Sequence, residues 1–64
     1  MNEEEFIPVW EARFRLSDGT EDSRMFSYDD TWSDGEQQYN IECWILALFP
    51  NVEWFSVNYV EIPV

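Results

Sequence analysis

Asp29, Asp30, Asp34 and Glu36 fall within eight residues of one another, and a stretch this dense in oxygen ligands invites three kinds of chemistry. Calcium is one, because the ion takes about six to eight oxygens from such clusters. Set against the EF-hand loop from Asp30, the Asp34-Gly35 pair falls in place, but Trp32 occupies a ligand position and no helix precedes it, so no metal site is expected. Paired-carboxylate catalysis of the glycosidase type is a second. A 64-residue chain with one helix leaves little room for the pocket of about 300 Å³ that a small-molecule site needs. The chain also has no histidine to act as a base and no lysine for a Schiff base or phosphate clamp. No catalytic residue, cofactor or enzyme activity is therefore expected. The third is imitation: carboxylates on a rigid support can stand in for phosphates, which follow one another at about 3.4 Å along each strand of duplex DNA.

Charge favours the third. Fourteen Asp and Glu face three Arg, giving a net charge of −11. Solubility of a small domain asks for a magnitude of only about 2–8, and the excess destabilises the compact state by self-repulsion. Direct contact with nucleic acid or an anionic membrane is disfavoured, because phosphate binding relies on Lys and Arg. A basic protein partner is favoured. With 19% aromatic residues, including Trp10, Trp32, Trp44 and Trp54, the chain is expected to fold rather than to behave as an acidic tail. Cys43 alone makes neither a disulfide nor a four-ligand zinc site, and there is no signal-peptide pattern and no apolar run near 18 residues, so a cytoplasmic location is expected.

These side chains must be positioned by a small set of elements in a single domain, residues 1–64. Residues 1–6, with three consecutive glutamates, are expected as a flexible arm. Val9 to Leu16 alternates, with Trp10, Ala12, Phe14 and Leu16 on one face, which predicts a half-buried strand. Asp18-Gly19 signals a hairpin, followed by a strand over 21–28 with Arg24, Phe26 and Tyr28 on one side. Arg13, Arg15 and Arg24 are expected to meet Glu11, Glu21 and Asp22 on one local sheet face, leaving the other carboxylates without cations. Ser33-Asp34-Gly35-Glu36 reads as a capping box opening a helix from Asp34 to about Leu48, stopped by Pro50. Ile41, Trp44, Ile45 and Leu48 form its predicted packing stripe. A third strand lies within 51–64, with Phe55, Val57 and Tyr59 toward the helix and Trp54 away from it; its neighbour in the sheet is left open. The fold class is α+β, β-β-α-β, a three-stranded antiparallel sheet with one helix on one face.

The helix is apolar on its outer side as well, at Tyr39, Cys43 and Leu46, and an element apolar on two sides is covered on two sides. The expected partner-binding surface is therefore Asp29, Asp30, Trp32, Asp34, Glu36, Tyr39, Glu42, Cys43 and Leu46, with the alternative that Tyr39, Cys43 and Leu46 form a homodimer contact.

In size, charge and inferred architecture the chain resembles the small, acidic, lysine-poor DNA mimics encoded by phages and mobile elements. These include anti-CRISPR proteins, antirestriction proteins and inhibitors of uracil-DNA glycosylase. The β-β-α-β order with an Asp-Gly hairpin is similar to that of short, homodimeric glycosylase inhibitors. The resemblance carries no sequence motif and transfers no functional residue. It implies an inhibitor acting in a host cytoplasm on a CRISPR effector subunit or a DNA repair enzyme.

Overall fold

The computed structural model describes residues 5–64, in the order β1 (Phe6–Leu16), β2 (Glu21–Ser27), α1 (Asp34–Leu48) and β3 (Val52–Pro63). The strands form one antiparallel sheet in the order β2-β1-β3, with α1 across one face: the expected α+β architecture, with the open question settled by β3 lying beside β1. Among the described residues no helix is long and apolar enough to cross a membrane.

The hairpin turn spans Ser17, Asp18 and Gly19. Gly19 donates to the Leu16 carbonyl at 2.9 Å, Leu16 donates to Thr20, and Gly19 alone has positive φ, at 92°. This is the three-residue loop in which a glycine takes the left-handed position. Asp18 caps it by accepting from the Thr20 amide at 2.9 Å, which together with the Thr20 hydroxyl holds the carboxyl below its usual range.

β1 begins three residues before the expected Val9. Phe6 pairs with Pro63, and the Glu5 carbonyl accepts from Val64 at 3.0 Å, so the expected arm over 1–6 gives up its last two residues to the sheet. The rest of that expectation, residues 1–4, lies outside the described residues. Pro8 is tolerated inside this central strand because it lies where β2 ends. Its carbonyl still accepts from Tyr28, and only the last rung lacks a donor.

Register sorts the side chains into two faces. Trp10 lies between Phe26 and Tyr59, Ala12 between Arg24 and Val57, and Phe14 between Asp22 and Phe55, all beneath the helix. Trp10, Ala12, Phe14, Ile41 and Ile45 are the buried core, with Phe49 stacked on Phe14 at 4.6 Å between ring centroids. The helix contributes Gln37, Ile41 and Ile45, a narrower i, i+4 row than the expected stripe. Trp44 reaches the core edge-on against Phe26, but Leu48 is exposed. Phe49 leaves the helix with its amide still bonded to Ile45, folds back onto Phe14, and fills the place Leu48 was expected to take. The arginines also divide: Arg13 and Arg15 share the helix-free face, whereas Arg24 sits on the helix side, paired with Asp22 at 3.8 Å.

Both open edges carry a side-chain plug. On β2 the Asp22 carboxylate accepts from the Ser23 amide at 2.8 Å, and on β3 the Gln38 side chain donates to the Val57 carbonyl at 3.3 Å. Occupied edge groups discourage strand addition.

Replacing Ile45 by Ala should lower unfolding free energy by about 2–5 kcal/mol in urea titrations, as buried aliphatic truncations do. Leu48→Ala should change it by less than about 1 kcal/mol; equal costs would restore the wider packing stripe.

Candidate functional site

The acidic loop is built on a buried glutamine. Gln37, one turn into α1, faces the sheet, and its Oε1 accepts from the Trp10 indole at 2.8 Å and from the Asp29 amide at 2.8 Å. Its Nε2 donates to the Trp32 carbonyl at 3.0 Å. One side chain thus fastens the central strand, the loop and the helix together. No buried side-chain polar atom among the described residues lacks a partner. Sequence reasoning missed this residue. The signal was present: Gln37 precedes Ile41 and Ile45 on the i, i+4 row, and Trp10 brings into the core an N–H that needs an acceptor.

Within the loop, Asp29 Oδ1 accepts from the Thr31 hydroxyl at 2.6 Å and the Thr31 amide at 3.0 Å, while Trp32 N–H closes the turn on the Asp29 carbonyl at 3.2 Å. The Thr31 hydroxyl first, and its amide second, hold the Asp29 carboxyl below its usual range. At the helix start the capping box is complete: Ser33 Oγ accepts from the Glu36 amide at 3.2 Å, and Glu36 Oε1 accepts from Ser33 N–H at 3.3 Å. Asp34 turns back toward the sheet and accepts from the Tyr28 hydroxyl at 2.7 Å. That bond, more than desolvation, pushes the Tyr28 phenol above its usual value. Tyr28 in turn stacks on Trp10 and meets Tyr59 edge-on, so three rings support the loop from below.

The nine residues expected to meet a partner therefore have different places. Tyr39 and Leu46 are 65% and 50% exposed, and with exposed Cys43 and Glu36 they form the crest of the helix. Trp32, 49% exposed, and Asp29 and Asp30 lie in the loop on the flank shared with Asn40. Glu42, half-buried, falls about 100° around the helix on the opposite flank from Asn40 and Trp44, on the side of Gln38 and β3. Asp34 is exposed too, with one carboxylate oxygen, Oδ1, taken by the Tyr28 hydroxyl. Among the described residues, every ion pair lies on the hairpin and the adjoining end of β3: Arg15 with Glu21 and Glu53, and Arg24 with Asp22. None touches Asp29, Asp30, Glu36 or Glu42.

One open depression lies in this surface and another lies apart from it at the hairpin. One of about 280 Å³ is lined by Trp10, Asp29, Trp32, Gln37, Asn40 and Ile41. The other, about 340 Å³, lies across the hairpin beside Trp54, more room than the size of the chain suggested. Among the described residues no group of three or more Asp, Glu, Cys or His is arranged to hold a metal ion.

Comparison with protein families, with characterised proteins and with solved structures found no match to this chain.

Gln37→Leu keeps the volume but leaves the Trp10 indole and the Asp29 amide without their acceptor. Chemical denaturation should show a loss of about 2–4 kcal/mol, from two unsatisfied donors at about 1–3 kcal/mol each with partial access to water. An unchanged midpoint would remove Gln37 from its structural role.

Proposed function

We propose that this chain is a DNA-mimic inhibitor that docks its acidic loop and helix crest into the phosphate-binding groove of a nucleic-acid-binding host protein. A CRISPR effector subunit is the first target to test. Restriction enzymes and uracil-DNA glycosylase are the alternatives. One observation carries the reading. In a chain of net charge −11, the carboxylates of Asp29, Asp30, Glu36 and Glu42 have no cation beside them, while the arginine pairs gather around the hairpin. Unneutralised carboxylates on a hydrogen-bonded scaffold raise the association rate with a basic groove. Exposed aromatics among them, Trp32 and Tyr39, supply the desolvated contacts that hold the complex once formed. The notch beside Trp32, walled by an indole and a carboxylate, suits the planar guanidinium of an arginine from such a groove.

The side chains of Asp30 and Glu42 make no hydrogen bond or ion pair among the described residues, so reversing their charge disturbs the surface without disturbing the cap. Asp30→Arg with Glu42→Arg should weaken inhibition of the target nuclease or glycosylase at least about tenfold, mainly by slower association, and raising salt should slow the wild type in the same way. Undiminished inhibition by the doubly reversed chain would contradict the proposal.

A further inference from the structure

The depression of about 340 Å³ at the hairpin opens on the sheet face away from the helix, apart from the acidic loop. Register places Arg13 of the central strand between Ser23 of β2 and Ser56 of β3, with Glu21 and Trp54 on the diagonals. Arg13, Glu21, Ser23 and Trp54 all line the depression, and all four are exposed, Trp54 to 46%. Its two opposite charges do not close on each other. Arg13 makes no ion pair among the described residues, although the chain has fourteen carboxylates and both other arginines are paired. The register explains this, because serines and not acids stand directly opposite the guanidinium on both sides. Glu21 is tied only to Arg15, at 3.9 Å, well beyond a charge-assisted hydrogen bond of about 2.7–2.9 Å. Asp22 also borders the depression, but its carboxylate is taken by the Ser23 amide and by Arg24 on the helix side.

We propose that this depression binds a free α-amino acid with an aromatic or large apolar side chain. The carboxylate lies on Arg13 with the Ser23 hydroxyl beside it, the ammonium lies on Glu21, and the side chain packs against Trp54. Charge selects this class of ligand. A purely acidic ligand meets Glu21 and the field of a chain of net charge −11, whereas a purely cationic one leaves Arg13 unanswered. A zwitterion answers both groups and carries no net charge to be repelled. Diagonal positions on neighbouring strands are about 7–8 Å apart, a span that Arg13 and Glu21 can bridge only through something held between them. Trp54 supplies the apolar wall, on which a second ring can stack or meet edge-on. The volume lies near the lower end of the about 300–1,000 Å³ of small-molecule sites, which suits a single amino acid. The site is independent of the proposed function and lies on the other face of the sheet.

Titration of the full chain with L-phenylalanine, followed by ¹H–¹⁵N NMR in about 0.15 M salt to screen the long-range field, tests it. The Arg13 Nε–H and Trp54 indole N–H signals should shift together and saturate with a dissociation constant of about a millimolar, the scale of a ligand of about a dozen atoms. Phenylalaninamide, which lacks the carboxylate, and N-acetyl-phenylalanine, which lacks the ammonium, should each bind at least about tenfold more weakly at these two signals. Arg13→Gln should weaken phenylalanine by the same factor and leave phenylalaninamide unchanged, a selectivity that a general loss of structure does not produce. Absence of a saturable shift at about ten times the expected constant would overturn the proposal. Equal binding of the three ligands, or undiminished binding of phenylalanine by the Arg13→Gln chain, would do so as well. Should that variant lose its native circular dichroism, the three ligands compared on the wild type decide the matter.

Discussion

The structure depends on the placement of one amide. Trp10 is the largest side chain in the core and carries an indole N–H under the helix, where water does not reach it. An unsatisfied donor there would cost about 1–3 kcal/mol. Gln37 answers it with one lone pair and gives the other to the Asp29 backbone, so satisfying the core and fixing the loop are a single event. The donor side of the same amide closes on Trp32. The turn that displays Asp29, Asp30 and Trp32 is therefore held from the interior and not merely by its own hydrogen bonds.

Around that anchor the charge is arranged asymmetrically. The arginines are drawn to the hairpin and the neighbouring end of β3, where they meet Glu21, Glu53 and Asp22. The loop and helix keep their carboxylates unneutralised, and the helix dipole favours those in the first turn, Asp34 and Glu36. The opposite sheet face carries Arg13 and Arg15 beside Glu11 and Glu21. A small chain with excess charge loses stability by self-repulsion, and the ion pairs of the hairpin relieve part of it. The elongated shape, 49 × 25 × 13 Å, follows from long strands covered by a helix shorter than they are.

Much of the fold was legible because it rests on local chemistry. Asp18-Gly19, the Ser33–Glu36 box and Pro50 act within a few residues, and they mark the hairpin and both ends of α1 where the structure has them. The alternation in β1 gave the inward face of Trp10, Ala12 and Phe14, and that in β3 gave Phe55, Val57 and Tyr59. What sequence did not reveal depends on distant partners. Phe6 reads as part of an arm until Pro63 lies beside it. Arg24 reads as sharing one sheet face with Arg13 and Arg15 until register sets it on the helix side, still paired with Asp22. Leu48 fits a helical stripe until Phe49 folds back onto Phe14. At the candidate site, the exposure of Tyr39, Cys43 and Leu46 was anticipated by the second apolar side of the helix. The bond from Tyr28 to Asp34 and the role of Gln37 were not, since each depends on side-chain hydrogen bonds between elements that no periodicity encodes.

The central claim is that the acidic loop is part of the folded core, and amide hydrogen exchange at Asp29 tests it most directly. With its N–H bonded to Gln37, Asp29 should exchange only as the whole domain unfolds, with the same opening free energy and denaturant dependence as the Ala12 and Phe14 amides in the central strand. Exchange of Asp29 at the rate of a free loop, while Ala12 and Phe14 stay protected, would show that the loop opens on its own and would contradict the account.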